Sequence, residues 1–197
     1  DEETLKVVTM VYGGLVNKQI VAGLQAIGVN ALGLTGADLN YMRSEKRPVK
    51  DVDYGFVGDV DTVNTSLVKM MLDQDMAIVI APLTHDMKGQ LLNTNADTIA
   101  QEIAQAMSAL YKVHLIYSFE KAGVLMNADD DDTVIPFITP SGYKELKQQQ
   151  VIFSGMIPKL DNAFAALNKG VHRVVIGKAE QLPGLINHQS GTSIVHE

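Results

Sequence analysis

The sequence predicts an α/β fold in three layers, in which helices cover a mainly parallel central sheet. Short apolar runs, such as residues 76–83 and 113–119, alternate with longer stretches whose apolar residues recur every three or four positions. Continuous apolar runs are typical of strands covered on both faces, and their alternation with helices favours parallel pairing. A hydrophobic content of 46% is enough for a sizeable core.

The first half of the chain predicts this alternation element by element. Residues 40–63 alternate in polarity and contain many turn residues, which predicts hairpin strands with Pro48 at an edge or a turn. The run 76–83 predicts a central strand with both faces covered. The other elements predicted here are a helix over 4–27 ended by Gly28, a strand over 29–34, a loop over 35–38, a helix over 65–74 and a turn over 85–89.

The second half continues the same pattern. Residues 96–111 predict a strong helix, because their isoleucine, methionine and leucine side chains share one side. Residues 124–139 predict a hairpin around the acidic run 129–132. We interpret that run as a solvated tip, because it lacks the spaced ligands and the glycine of a calcium loop. The remaining elements are strands over 113–119, 171–176 and 193–195 and helices over 140–149 and 155–169.

The composition argues against several classes of function. The formal net charge is −7 and no basic run is present, so nucleic acid is not an expected partner. The absence of cysteine excludes disulfides, thiolate metal sites and cysteine nucleophiles, and it agrees with a cytoplasmic location. No continuous apolar run reaches the roughly 20 residues that span a bilayer, so we expect no membrane association. The five histidines show no metal-binding spacing, and we expect no metal bound directly by the protein.

Residues 93–97 form the densest polar cluster in an apolar setting. Asn93 and Asn95 point the same way if this segment is extended, because side chains in a strand alternate with period two. Asp97 falls in the first turn of the following helix, where its charge is stabilised by the helix dipole. Taken alone, the segment favours the simpler interpretation of two turn residues and a first-turn aspartate.

Two further segments are candidates for binding an anion or a nucleotide. Gly155 permits close approach of a ligand to the backbone, and Lys159 lies one turn into the helix that follows. A buried strand also runs into a polar loop over residues 117–124, where a base or a ribose commonly binds. A capped helix with a solvated lysine and a plain strand-to-hairpin turn are the alternatives.

Several segments, taken in order, resemble the acetylglutamate kinases of the amino-acid kinase family, and the match covers nearly all of the chain. Residues 93–97 are similar to the family's "N-x-NAD", its most specific motif, and residues 155–159 resemble its "GGMIPK". The other matching segments are Val16-Asn17-Lys18 after Gly13-Gly14, the glycine-rich loop over 33–38, Gly58-Asp59-Val60 and Gly191-Thr192.

The resemblance implies an enzyme of arginine biosynthesis that phosphorylates the side-chain carboxylate of an N-acyl-L-glutamate, either acetyl or succinyl. Asn93 and Asn95 would bind the acylated amino acid, Asp97 would organise catalytic lysines, and Lys159 would stabilise the transferring phosphoryl group. ATP would be the co-substrate, with Mg²⁺ held by its phosphates. The residues implied for nucleotide binding are Ser118, Glu120, Gly123, Val124, Leu125, Val151, Ile152, Phe153, Gly155 and Met156.

The resemblance also implies a homodimer and two lobes, over about residues 1–112 for acylglutamate and dimer contacts and 113–197 for the nucleotide. In the family, the first helix is preceded by a strand that carries a lysine, by glycine-rich turns and by an arginine that binds the substrate. We therefore expect that the chain lacks the N-terminal part of the family domain and is inactive by itself. The alternatives are a pseudokinase or purely oligomeric subunit, and another family member such as a uridylate or glutamate-5 kinase.

Overall fold

The computed structural model describes residues 1–152 and 155–196. The chain forms two compact units, Asp1–Ile99 (unit 1) and Ala100–Glu197 (unit 2). Each unit combines helices with strands, and the sheets contain both parallel and antiparallel pairs. The α/β class predicted from the sequence is therefore confirmed.

Unit 1 begins with a long helix, α1, over Glu2–Ala26. The carboxylate of Asp1 caps it by accepting a hydrogen bond from the backbone N–H of Thr4 at 2.8 Å. Its middle part, Thr9–Val16, is a π-helix between the α-helical segments Glu2–Val8 and Asn17–Ala26. The helix ends before Gly28, whose φ of 81° is the left-handed conformation expected of a glycine that ends a helix.

Polar side chains attach α1 to the strands beside it. Asn17 is buried, and its Nδ2 donates to the backbone oxygen of Val79 at 3.0 Å. Lys18 Nζ donates to the oxygen of Gly33 at 2.9 Å. A Cβ at Gly33 would lie 2.0 Å from Asn17 Oδ1, so this contact requires glycine there.

Much of the rest of α1 is apolar and exposed, including Met10, Leu15 and Ile20 at 64%, 58% and 47%. Helix α1 has 25 residues and contains an 18-residue stretch with a mean hydropathy of 1.3, so by length and composition alone it could cross a membrane. This is weak evidence for a membrane span, since an apolar helix packed against protein passes the same test.

Unit 1 contains two sheets. One pairs two parallel strands, and the other has four strands in the order β3-β2-β5-β6. The elements after α1 are β1 (Ala31–Leu34), β2 (Met42–Lys46), β3 (Gly58–Val63), α2 (Thr65–Leu72), β4 (Ala77–Ile80), β5 (Leu83–His85) and β6 (Leu91–Asn93). The predicted hairpin over 40–63 is present as the antiparallel pair β2 and β3, with Pro48 in their connection.

The prediction of one central strand over residues 76–83 is wrong. The run is divided into β4 and β5, which belong to different sheets, with Pro82 between them. Proline has no N–H to donate to a neighbouring strand, so it interrupts pairing. Among the described residues β4 pairs with β1, and its side chains are only half-buried. Strand β6 was not predicted.

Helix α3 (Ala96–Met107) crosses the boundary between the units. Unit 2 has a four-stranded sheet in the order β7-β9-β10-β8, with β7 parallel to β9 and β10 antiparallel to it. Its elements are β7 (His114–Phe119), β8 (Phe137–Ile138), α4 (Pro140–Gln148), α5 (Ile157–Asn168), β9 (Arg173–Lys178), α6 (Leu182–Ile186) and β10 (Thr192–Ile194). One core joins α5 to this sheet, and its fully buried members include Leu160, Val174, Ile176 and Ile194.

Two predictions for unit 2 need correction. The hairpin over 124–139 is reduced to a single antiparallel bridge between Leu125 and Val134, and a short 3₁₀ helix, Asp131–Thr133, occupies its acidic part. In the acidic part the N–H groups bond locally, as from Asp132 to Oδ1 of Asp130 at 3.0 Å and from Asp129 to Oδ1 of Asn127 at 3.2 Å. Helix α6 was not predicted, because Pro183 and Gly184 obscure its short pattern.

Candidate functional site

The backbone of residues 93–95 is held in place from both sides in unit 1. The N–H of Asn93 donates to the oxygen of Phe56 at 2.8 Å, and the N–H of Thr94 donates to that of Pro82 at 3.0 Å. Asn93 and Asn95 are exposed, whereas Thr94 between them is 2% exposed. The segment thus presents both amides outwards and buries the side chain between them, in keeping with the period of two.

A group of buried hydroxyls supports this segment from below. Thr94 Oγ1 lies 2.9 Å from Thr84 Oγ1 and donates to the oxygen of Gly58 at 3.2 Å. A Cβ at Gly58 would lie 2.8 Å from each of these two hydroxyl oxygens. The packing therefore requires glycine at position 58. The sequence reasoning had matched Gly58 to a family motif without finding its contact with Thr94.

Asn95 also begins α3. Its Oδ1 accepts a hydrogen bond from the N–H of Thr98 at 3.1 Å, which is the usual contact of a capping asparagine. Asp97 is half-buried in the first turn of the helix, as predicted from the sequence. A carboxylate there is stabilised by the positive end of the helix dipole. Asn95 therefore has a structural role as a helix cap. Asn93 has no such role here, and its exposed amide is the stronger candidate for ligand binding.

Lys159 is the centre of a second group, in unit 2. It is half-buried in the first turn of α5, and its Nζ lies 4.9 Å from the ring centroid of Tyr117 and 5.9 Å from that of Phe119. Both rings belong to β7, which ends at Phe119 and includes Ser118. Two segments that the sequence singled out separately are therefore adjacent. A cation held against aromatic faces keeps its charge in a defined position.

The start of α5 has no side-chain cap among the described residues. The N-cap residue, Met156, has an apolar side chain that is 3% exposed and makes no capping hydrogen bond. Gly155 before it is exposed, and Pro158 occupies the first turn, where it displaces no intrahelical donor. Such a helix start can bind an anion through backbone N–H groups and the helix dipole.

The residues implied for nucleotide binding fall into two sets. Ser118, Glu120 and Gly155 are exposed, and Val151 is half-buried. The others among the described residues are buried, and Gly123 packs closely, since a Cβ there would lie 2.7 Å from Thr192 Oγ1. Phe153 lies outside the described residues. The buried side chains, which are core positions, are those of Val124, Leu125, Ile152 and Met156.

Three imidazoles form a separate cluster in unit 2. The ring of His114 stacks on that of His172 at 5.3 Å and lies 5.7 Å from that of His188. Partial burial, and then repulsion by these two histidines, Lys112 and Arg173, lowers the pKa of His114 below its usual value. Within the described ranges, no three His, Cys, Asp or Glu side chains are arranged to hold a metal.

Comparison with known proteins gives consistent results. The model of the amino acid kinase family matches residues 1–178. The chain is 62% identical to the acetylglutamate kinase of Phocaeicola vulgatus, over 98% of this chain and 74% of that protein. It is 60% identical to the acetylglutamate kinase of Bacteroides thetaiotaomicron, over the same 98% and 74%.

A solved structure agrees with the fold. The protein smu.665 from Streptococcus mutans superposes with a TM-score of 0.80 at 28% sequence identity, over 99% of this chain and 73% of that one. The family match covers far more than half of the chain, and 62% of the aligned residues are identical in the first of these relatives. The chain belongs to the amino acid kinase family.

Proposed function

We propose that the protein phosphorylates the side-chain carboxylate of an N-acyl-L-glutamate with ATP, a step of arginine biosynthesis in the cytoplasm. The observation that carries this proposal is the 62% identity to a relative named acetylglutamate kinase, over 98% of the chain. The matched stretch covers 98% of the chain and therefore reaches into both units. The Asn93 and Lys159 groups supply the two kinds of contact that this reaction needs.

The acylglutamate is assigned to the outward-facing amides of residues 93–95 in unit 1. An amide presents a donor and an acceptor together, which suits the acyl amide and the carboxylates of such a substrate. The buried Thr94 hydroxyl, at 3.2 Å from the oxygen of Gly58, fixes the segment that carries Asn93. Asn93 is thus the main binding residue. Asn95 caps α3 and lies close to the same substrate.

Lys159 is assigned to the phosphoryl group. Phosphoryl transfer depends mainly on positioning and on stabilising charge at the moving group, and a positioned ammonium supplies both. The attacking carboxylate is already ionised at neutral pH, so the reaction needs no general base. Asp97 would then act by positioning cationic groups. ATP is assigned to the exposed edge formed by Ser118, Glu120 and Gly155.

Magnesium is assigned to the nucleotide phosphates. Mg²⁺ in phosphoryl-transfer enzymes is usually bound through the phosphates of the substrate together with one or two carboxylates. When bound, Mg²⁺ would neutralise phosphate charge. The protein's own contribution is the orientation of the two substrates and the cation at Lys159.

The test is a steady-state assay of ADP release by the intact protein. We expect turnover with N-acetyl- or N-succinyl-L-glutamate, and the ratio of their kcat/KM values identifies the acyl group used. Glutamate and UMP serve as matched substrates of the other family members. Turnover with either of these alone would overturn the proposal in favour of a glutamate-5 or uridylate kinase. A folded protein that binds ATP but turns over none of the four would be a pseudokinase.

A further inference from the structure

Unit 2 contains a cavity that is separate from the site described above. It has a volume of about 600 Å³ and is lined by side chains of α4 and α5. Small-molecule sites in proteins usually measure roughly 300–1,000 Å³. Its lining includes neither Lys159 nor any residue implied for nucleotide binding. Whatever binds there contacts the outer surface of these two helices.

The floor of this cavity is aromatic and fixed. The ring of Tyr143 stacks on that of Phe164 with 5.3 Å between centroids and 25° between planes. Tyr143 is buried, and its hydroxyl donates to Asp161 Oδ1 at 2.7 Å. Burial, and then the bond to Asp161, raises the pKa of Tyr143, so the hydroxyl remains a donor at neutral pH. The stacking and the hydrogen bond restrain Tyr143, and a restrained side chain loses less conformational freedom on binding.

The rim of the cavity is cationic. Lys144 and Lys147 are both exposed and lie three residues apart on α4, a spacing that places them on one side of the helix. Lys147 Nζ lies 4.7 Å from the centroid of the Tyr143 ring. The lining also contains an acidic side chain, Asp161, which accepts the hydrogen bond from the Tyr143 hydroxyl. In a chain of net charge −7, two adjacent lysines beside an apolar cavity favour an anion locally.

We propose that this cavity binds an organic anion with an aromatic body. The aromatic part lies against Phe164 and Ala165, and the negative group lies between Lys144 and Lys147. The assignment combines the apolar floor, which favours a ring, with the paired ammonium groups, which select a charge. A neutral apolar compound would contact the apolar floor and gain nothing from the lysines. A second copy of the chain could cover the cavity without a free anion.

Fluorescence titration with anilinonaphthalenesulfonate tests this proposal, with phenylnaphthylamine as its neutral counterpart. Excess ADP is present, so that dye in the proposed nucleotide site does not contribute. We expect saturable binding of the sulfonate, and binding of the neutral dye that is weaker by about tenfold, since the neutral dye gains nothing from the two exposed lysines. Equal affinity for the two dyes, or no saturable binding of the sulfonate, would overturn the proposal.

Two variants locate the dye. Lys144→Gln combined with Lys147→Gln should weaken sulfonate binding by about tenfold. The control, Lys50→Gln combined with Lys88→Gln, removes the same charge from unit 1 and should leave binding unchanged. Ala165→Trp should block binding by filling the cavity, and circular dichroism checks that each variant is folded. Equal weakening in the control, or a doubled mass by light scattering that the Ala165→Trp variant abolishes, would contradict the proposal.

Discussion

Lys159 carries the clearest chemical assignment of any single residue. Its ammonium faces Tyr117 and Phe119 from the first turn of α5. We predict that Lys159→Ala lowers kcat by a factor on the order of 100 or more, because charge on the transferring group loses its stabilising cation. The measurement is steady-state kinetics with ATP and the preferred acylglutamate, together with a thermal unfolding curve.

The matched control for Lys159 is Lys169→Ala, which removes an exposed lysine at the other end of the same helix. Its kcat should equal that of the unchanged protein. If Lys159→Ala retains kcat, or loses it only in parallel with its melting temperature, Lys159 is a structural residue and its catalytic assignment is wrong.

Gly58 is the residue on which the acylglutamate segment rests. A Cβ there would meet Thr84, Thr94 and the side chain of Leu92 within 3 Å. We predict that Gly58→Ala lowers the free energy of unfolding by about 1–3 kcal/mol, the usual cost of overpacking a core. It should also raise the KM for acylglutamate more than that for ATP, because the strain displaces Asn93. Urea denaturation and steady-state kinetics measure the two effects.

Gly23→Ala is the control for Gly58→Ala. A Cβ at Gly23 meets nothing within 4 Å, and the residue lies in the α-helical end of α1. Alanine there should be neutral or should stabilise by roughly 0.5–1 kcal/mol. Equal stability of the two variants would show that Gly58 is not closely packed.

Among the secondary-structure elements, α1 has a large exposed apolar face. We propose that it forms a homodimer, since large apolar faces on a helix are normally covered. Leu15→Asp places a charge on this face, where burying it costs several kcal/mol, so we predict a change from dimer to monomer. Light scattering at micromolar concentration measures the mass. Leu110→Asp changes a leucine of similar exposure, 51% against 58%, outside α1 and should remain dimeric. A monomeric unchanged protein would refute the proposed dimer.

Periodicity predicted the long elements better than the short ones. Helix α3 and strand β7 have many residues with one pattern, so their existence followed from the sequence. The division of residues 76–83 at Pro82 depends on which neighbour each half pairs with, which a continuous apolar run does not reveal. Strand β6 has only three residues, too few to show a period. The π-helix was not predicted either, because its apolar residues do not by themselves distinguish i→i+5 from i→i+4 hydrogen bonding.

At the scale of the whole molecule, stability should depend on pH through the histidine cluster. The pKa values of His114 and His172 are lowered in the folded state, chiefly by burial. The unfolded chain then binds protons first as the pH falls below about 6.5, the ordinary histidine pKa, so acid favours unfolding. We predict that the melting temperature falls between about pH 7.5 and pH 5.5, and that His114→Gln reduces this fall.

His196→Gln is the control for the cluster, because His196 is exposed and lies outside it. That variant should keep the pH dependence of the unchanged protein. Calorimetry at several pH values measures both slopes. If His114→Gln leaves the slope unchanged, the acid sensitivity comes from carboxylates elsewhere in the chain.

The residues of the candidate site could be named from the sequence, but their contacts could not. Asn93, Asp97 and Lys159 stand in recognisable motifs, and local rules placed each at the start of a helix or the end of a strand. The contact of Lys159 with Tyr117 joins residues far apart in the chain, as does that of Thr94 with Gly58. No local pattern encodes such pairs. The burial of Val124, Leu125, Ile152 and Met156 is likewise a property of the assembled core.

The π-helix in α1 also sets the rotational phase between the two ends of that helix. An α-helix advances by about 100° per residue, so if Thr9–Val16 formed a regular α-helix instead, everything after it would be turned by about that angle. Asn17 would then no longer face the oxygen of Val79, while the segment Glu2–Val8 would keep its orientation. The extra residue in the π-helix thus acts as a phase adjuster. It allows one continuous helix to aim its first turns and its anchoring asparagine in directions that a regular α-helix of the same sequence could not combine.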